Sequence, residues 1–191
     1  MEALKSFLIA VFIVFACISC STTKNPKIEV STNIEKKPCK IAVLPFKNQT
    51  DDPTISNLFY RIFLDTLIEE AHFEIIPEGQ IRRILILERY TGNKEISRSL
   101  INAIRKRTGA DALIIGEILE SNRKELKLSV LIYAIDTSSG KLLWTTYYSK
   151  TGEDYRKVLH FGRPFTMTKL AKNMADDILY TWNEEHLGGC W

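Results

Sequence analysis

The apolar positions of this chain follow two periods that alternate along it. Lys40-Ile41-Ala42-Val43-Leu44-Pro45-Phe46 is a nearly unbroken apolar run, the pattern of a strand covered on both faces. After a polar loop, Asp51-Asp52-Pro53 supplies an acidic cap and a proline suited to a first helical turn. Ile55, Leu58, Phe59, Ile62, Phe63 and Leu67 then recur at helical spacing as one stripe. Phe73 to Pro77 reads as a short strand closed by proline. Ile81, Ile84, Leu85 and Leu87 predict a second helix from Glu78 to about Tyr90, broken by Thr91-Gly92-Asn93. Ser97 caps a third helix, with Leu100, Ile101 and Ile104 inward and a stop at Thr108-Gly109.

The second half is dominated by strands. Asp111 to Leu119 reads as a buried strand and Ser121 to Lys124 as a turn. Leu126, Leu128, Val130, Ile132 and Ala134 alternate with their neighbours, which predicts a long strand. Asp136 to Gly140 is a hairpin connection, and Lys141 to Ser149 returns as a strand carrying Trp144, Tyr147 and Tyr148. Phe165 to about Glu184 predicts a closing helix with Met167, Leu170, Ala171, Met174, Ile178 and Trp182 inward. This order predicts an α/β fold: a mixed β-sheet flanked by helices, in one sandwich domain over residues 39–185, then a C-terminal tail, 186–191. Trp144 and Trp182 are expected in its core.

Ahead of the domain, Lys5 precedes a short apolar run, Phe7 to Ala16, and then small residues. The run falls short of the roughly 20 apolar residues that span a bilayer, and the layout is that of a secretory signal peptide over residues 1–19. Cys17-Ile18-Ser19-Cys20-Ser21 resembles the lipobox of bacterial lipoproteins, in which a small residue precedes the cysteine that becomes acylated. Cys20 fits better than Cys17. An anchor there makes the membrane a partner, because each buried lipid CH₂ contributes about 0.8 kcal/mol. Residues 21–38 are polar, carry two prolines and show no sustained period, which predicts a flexible tether spanning about 25 Å.

Charge and motifs narrow the chemistry. The 26 Lys and Arg against 23 Asp and Glu leave a net charge of only +3, and no basic block points to nucleic acid. The sequence holds no glycine-rich phosphate loop, no Gly-x-Ser-x-Gly and no His-Glu-x-x-His. His72, His160 and His186 are far apart and outside metal-ligand spacing. A serine with His160 and Asp154 has the residue types of a catalytic triad, but such a set arises in any chain of this length. Glu117, near the end of a strand, reads as an acid reaching water. The expectation is a protein without catalytic residues, metal or cofactor. Cys39 and Cys190 bracket the domain. Export puts both in an oxidising space, which leaves two readings open, a disulfide between them or two unpaired thiols. The connection from Lys150 to Pro164 is long for a compact domain. Tyr155, Arg156, His160, Phe161 and Arg163 are its candidate partner contacts, being types that anchor interfaces. The competing expectation is a helix from Asp154 to Leu159 packing Tyr155, Leu159 and Phe161 inward.

Three segments carry a family resemblance: Ile41 to Thr50, Gly109 to Ile118, and Ile135 to Trp144. Their order resembles a group of envelope lipoproteins that includes the penicillin-binding-protein activator LpoB, the curli-secretion lipoprotein CsgG and the N-terminal domain of TolB. The resemblance implies a non-enzymatic, lipid-anchored module that binds or regulates an envelope assembly through a protein partner. With Ser21 after the cysteine, it implies an outer-membrane location facing the periplasm. The alternative it implies is a subunit of an oligomeric secretion complex, hence a homo-oligomer. The loops Glu120–Glu125 and Ser138–Lys141 are too short to supply pore strands.

Overall fold

The computed structural model describes residues 25–31, 37–70, 72–92, 95–157 and 162–190. The signal segment and Cys20 lie outside them. Among the described residues seven strands form one sheet: β1 (Lys27–Val30), β2 (Lys40–Val43), β3 (Lys47–Asn48), β4 (Glu74–Ile75), β5 (Ala112–Asn122), β6 (Lys127–Asp136) and β7 (Leu142–Thr151). Their spatial order is β1-β7-β6-β5-β2-β4, with β3 also pairing β5. β2 runs parallel to both β4 and β5, placing Ile41 opposite Ile75 and Ala112. β5, β6 and β7 form the antiparallel meander, with a register shift between Ile118 and Glu120. The mixed α/β sheet expected from the order of elements is the one observed.

Helices α1 (Ile55–Glu70) and α4 (Met167–Glu184) cover one face, and α2 (Glu78–Leu87) and α3 (Arg98–Thr108) cover part of the other. The continuous apolar runs follow from this. On β5, Ala112, Ile114 and Ile118 join the α1/α4 core, while Leu113 and Ile115 join the α2/α3 core. Trp144 and Trp182 meet edge-on at 5.4 Å in the larger core, and Trp182 Nε1 donates to Thr146 Oγ1 at 2.8 Å. Gly116 lies under the Phe46 ring, which a Cβ there would displace. Phe46 thereby reaches Phe59, Tyr60 and Phe63 at 5.5–5.9 Å. The terminal signals act as the sequence implies. Asp52 Oδ1 accepts from Thr54 N at 3.0 Å ahead of α1, and Ser97 Oγ accepts from Leu100 N at 3.2 Å. Gly109, at φ 72°, closes α3 in the left-handed conformation that glycine adopts without strain.

Three expectations are corrected. Residues 27–30, expected within the tether, form an edge strand, antiparallel to β7 with Lys27 opposite Tyr147 and Val30 opposite Trp144. Lys-Ile-Glu-Val does alternate, but over too few residues for a periodic signal, and Ile28 packs on the larger core. Leu87, expected inward, is 60% exposed, because α2 ends there before its stripe completes another turn. Residues 187–190 are not a free tail. Leu187 is buried, Gly189 N donates to Pro38 O at 3.0 Å, and Cys190 N donates to His72 O at 2.8 Å. Cys39 and Cys190 are joined by a disulfide with Cα atoms 4.6 Å apart.

Candidate interaction sites

The long connection after β7 begins with a capped 3-10 turn, Gly152–Tyr155, and Arg156 and Lys157 after it are not helical, as the expected helix over 154–159 would require; Leu159 lies outside the described residues. Thr151 N and Oγ1 both donate to Asp154 Oδ2, at 2.6 and 2.8 Å. This turn aims Tyr155 at α4, where its hydroxyl donates to Asp177 Oδ2 at 2.6 Å. Tyr148, on β7, donates to the same oxygen at 2.6 Å. Burial first, and then the bond to the Asp177 carboxylate, raises both phenols above the ordinary tyrosine range. Above the two rings sits Lys150, buried, with Nζ 5.4 Å from the Tyr148 centroid and 5.6 Å from that of Tyr155.

Of the candidate partner contacts, Tyr155 is therefore tied inward and half-buried. Arg156 and Arg163 come together on one carboxylate, Glu153, at 3.2 and 2.8 Å. Arg156 is exposed, whereas Arg163 is half-buried, stacked over Phe165 at 5.7 Å, with its Nε buried and unpartnered. His160 and Phe161 lie outside the described residues. Glu117 is half-buried and faces Lys47 at 3.8 Å and Gln49 Nε2 at 3.4 Å. Among the described residues no cluster of His, Cys, Asp and Glu could hold a metal ion.

A second site went unforeseen. A cleft of about 850 Å³ opens where β5 starts, β6 ends and β7 starts, beside the end of α3. Lys37, Arg105, Lys106 and Lys141 line it, and none is ion-paired among the described residues. Its two acids are engaged elsewhere. Asp111 Oδ2 accepts from Cys39 N and Lys40 N at 3.1 and 3.0 Å, and Asp136 Oδ1 holds the Ser138-Ser139 turn. The cleft is therefore cationic. Arg105 and Lys106 belong to the last turn of α3, and only the convergence of separate elements makes them a wall.

The two sites lie at opposite ends of β7, from Leu142 at the cleft to Thr151 at the turn, about 30 Å at a strand's rise. No family model matches the chain, and no curated protein matches it. Solved structures do. A PelC dodecamer from Paraburkholderia phytofirmans is 16% identical with a TM-score of 0.51, covering 87% of this chain and 99% of that one. The hypothetical protein CT253 from Chlamydia trachomatis is 13% identical at 0.51, covering 78% and 98%. The C-terminal domain of Escherichia coli LpoB is 12% identical at 0.48, covering 60% and 84%. At these identities the likeness to PelC and CT253 is one of fold.

Proposed function

We propose that this protein is a lipid-anchored, non-enzymatic interaction module of the bacterial envelope, held at the outer membrane and facing the periplasm. The observation that carries this reading is the placement of the two ends of β7. β1 joins the sheet at Lys27, beside the C-terminal end of β7, so an anchor at Cys20 is tied to that end. The cationic cleft lies at the far end, directed away from the anchor and open to a partner with an acidic face. Mass spectrometry of the mature N-terminus tests the anchor: acyl chains on Cys20 support it, and their absence ends it. Crosslinked pull-down from intact envelopes tests the module. Arg105→Glu with Lys106→Glu should abolish partner recovery without unfolding the domain. Arg156→Glu probes the segment after β7 in the same assay, and recovery unchanged by either set would remove both surfaces.

A second reading is a subunit of an oligomeric export complex. It is favoured by the fold shared with PelC, whose solved form is a dodecamer. The size of the detergent-extracted protein separates the two, a monomer or dimer supporting the module and a large ring the subunit.

A further inference from the structure

We infer that the notch where β1 leaves β7 binds the phosphate of a membrane lipid headgroup, with Lys150 as the cation that receives it. β1 accompanies β7 only as far as Lys27 opposite Tyr147, whereas β7 continues to Thr151. Residues 148–151 therefore have no β1 residue beside them, and a cavity of about 360 Å³ opens there. Asn25, Lys27, Tyr147, Ser149, Lys150 and Asp154 are among its lining residues.

Lys150 is the unusual member. It is 4% exposed, yet among the described residues its ammonium makes neither an ion pair nor a hydrogen bond. Most of the side chain is withdrawn from water while Nζ keeps a small contact with solvent in the notch, and the hydration lost around the ammonium is unfavourable. The rings of Tyr148 and Tyr155 offset part of this through their faces, and both phenols donate to Asp177 behind them. What the rings do not offer is an oxygen for the ammonium's N–H bonds, and an anionic oxygen in the notch supplies one. Ser149 Oγ is already bonded to Ser129 Oγ at 2.7 Å. Asp154 brings a negative charge, but its Oδ2 is occupied by Thr151 N and Oγ1. Lys27 and Lys150 against Asp154 leave the lining net positive.

Position decides the source of the phosphate. Asn25 lines the notch, and Cys20 stands five positions earlier, a reach of at most about 18 Å. The inference rests here on the anchored reading, because an acylated Cys20 brings bilayer headgroups within that distance. The cationic cleft, about 30 Å away along β7, has no such neighbour.

The test titrates the detergent-purified full chain with dihexanoyl phosphatidylglycerol or inorganic phosphate and follows the melting temperature, which a ligand of the native state raises. The expected result is a saturable rise with the short-chain lipid. Lys150→Met should weaken it about tenfold or more, the loss of one charge-assisted hydrogen bond, and Lys150→Arg should retain it. If Lys150→Met fails to fold, Lys27→Gln at the exposed rim serves, weakening the response about twofold. No saturable rise, or an equal rise in Lys150→Met, overturns the site. An equal response to inorganic phosphate overturns the lipid as its source. Cys20 is not the variable in this titration, so its failure and the failure of anchoring, read by mass spectrometry, remain separate results.

Discussion

Trp182 is the side chain on which the larger core turns. It is 2% exposed, packs edge-on against Trp144 at 5.4 Å and Phe63 at 5.7 Å, and donates from Nε1 to Thr146 Oγ1. Trp182→Ala removes the ring from α4 and leaves a cavity between helix and sheet. Truncations of this kind lose about 3–5 kcal/mol. The Thr146 hydroxyl, on a fully buried residue, is orphaned as well, at a further cost of about 1–3 kcal/mol. The expected loss is therefore about 4–8 kcal/mol, a fall in melting temperature of roughly 10–30 °C for a domain of this size. Trp182→Phe keeps a ring but loses the hydrogen bond, and should lose about 1–3 kcal/mol. Thr146→Val removes the acceptor instead, so the double variant Trp182→Phe, Thr146→Val should lose less than the sum of its parts, by about 1 kcal/mol. Urea unfolding followed by far-ultraviolet circular dichroism measures all four proteins without relying on tryptophan fluorescence. A loss below about 1 kcal/mol for Trp182→Ala would refute the packing argument, and strict additivity would refute the hydrogen bond.

Three further outcomes are expected. Reducing the Cys39–Cys190 disulfide should destabilise the domain by at most about 5 kcal/mol, the loop-closure value for its sequence separation of 151 residues, and a melting temperature indifferent to reductant would contradict this. The Arg123 guanidinium beside Asp52, at 2.6 Å, holds that carboxyl near 2, below its ordinary value. The stabilisation is complete above the unfolded value of about 4 and is lost as pH falls through about 2, so Arg123→Ala should flatten the fall in stability over that window; an unchanged pH profile would count against the pair. Ile28→Asp should detach β1 from the larger core and hasten limited proteolysis at residues 25–31 while the global melting transition barely moves. Equal cleavage in variant and wild type would mean that the strand is not held there.

The local elements were legible in the sequence because their causes are local. The stripe Ile55–Leu67, the cap at Ser97 and the glycine stop at Gly109 each act within a few residues, so period and capping chemistry locate α1 and α3 directly. The runs at β2 and β5 likewise announced burial on both faces, hence helices on both sides. What tertiary structure decided depends on partners distant in sequence. Four residues, Lys27–Val30, carry too little pattern to declare a strand, and the open edge of β7 makes them one. Tyr155 carries the same composition signal whether it meets a partner or its own core, and Asp177 on α4 settles the matter through a single oxygen shared with Tyr148. The cationic cleft has no motif at all. Lys37, Arg105, Lys106 and Lys141 stand far apart in the chain and become neighbours only because β2, β5, β6 and β7 bring their ends together there. Hydrophobic periodicity reports which face of an element is buried and is silent on which surface charges converge, so the fold could be read from this sequence and its interaction sites required the assembled sheet.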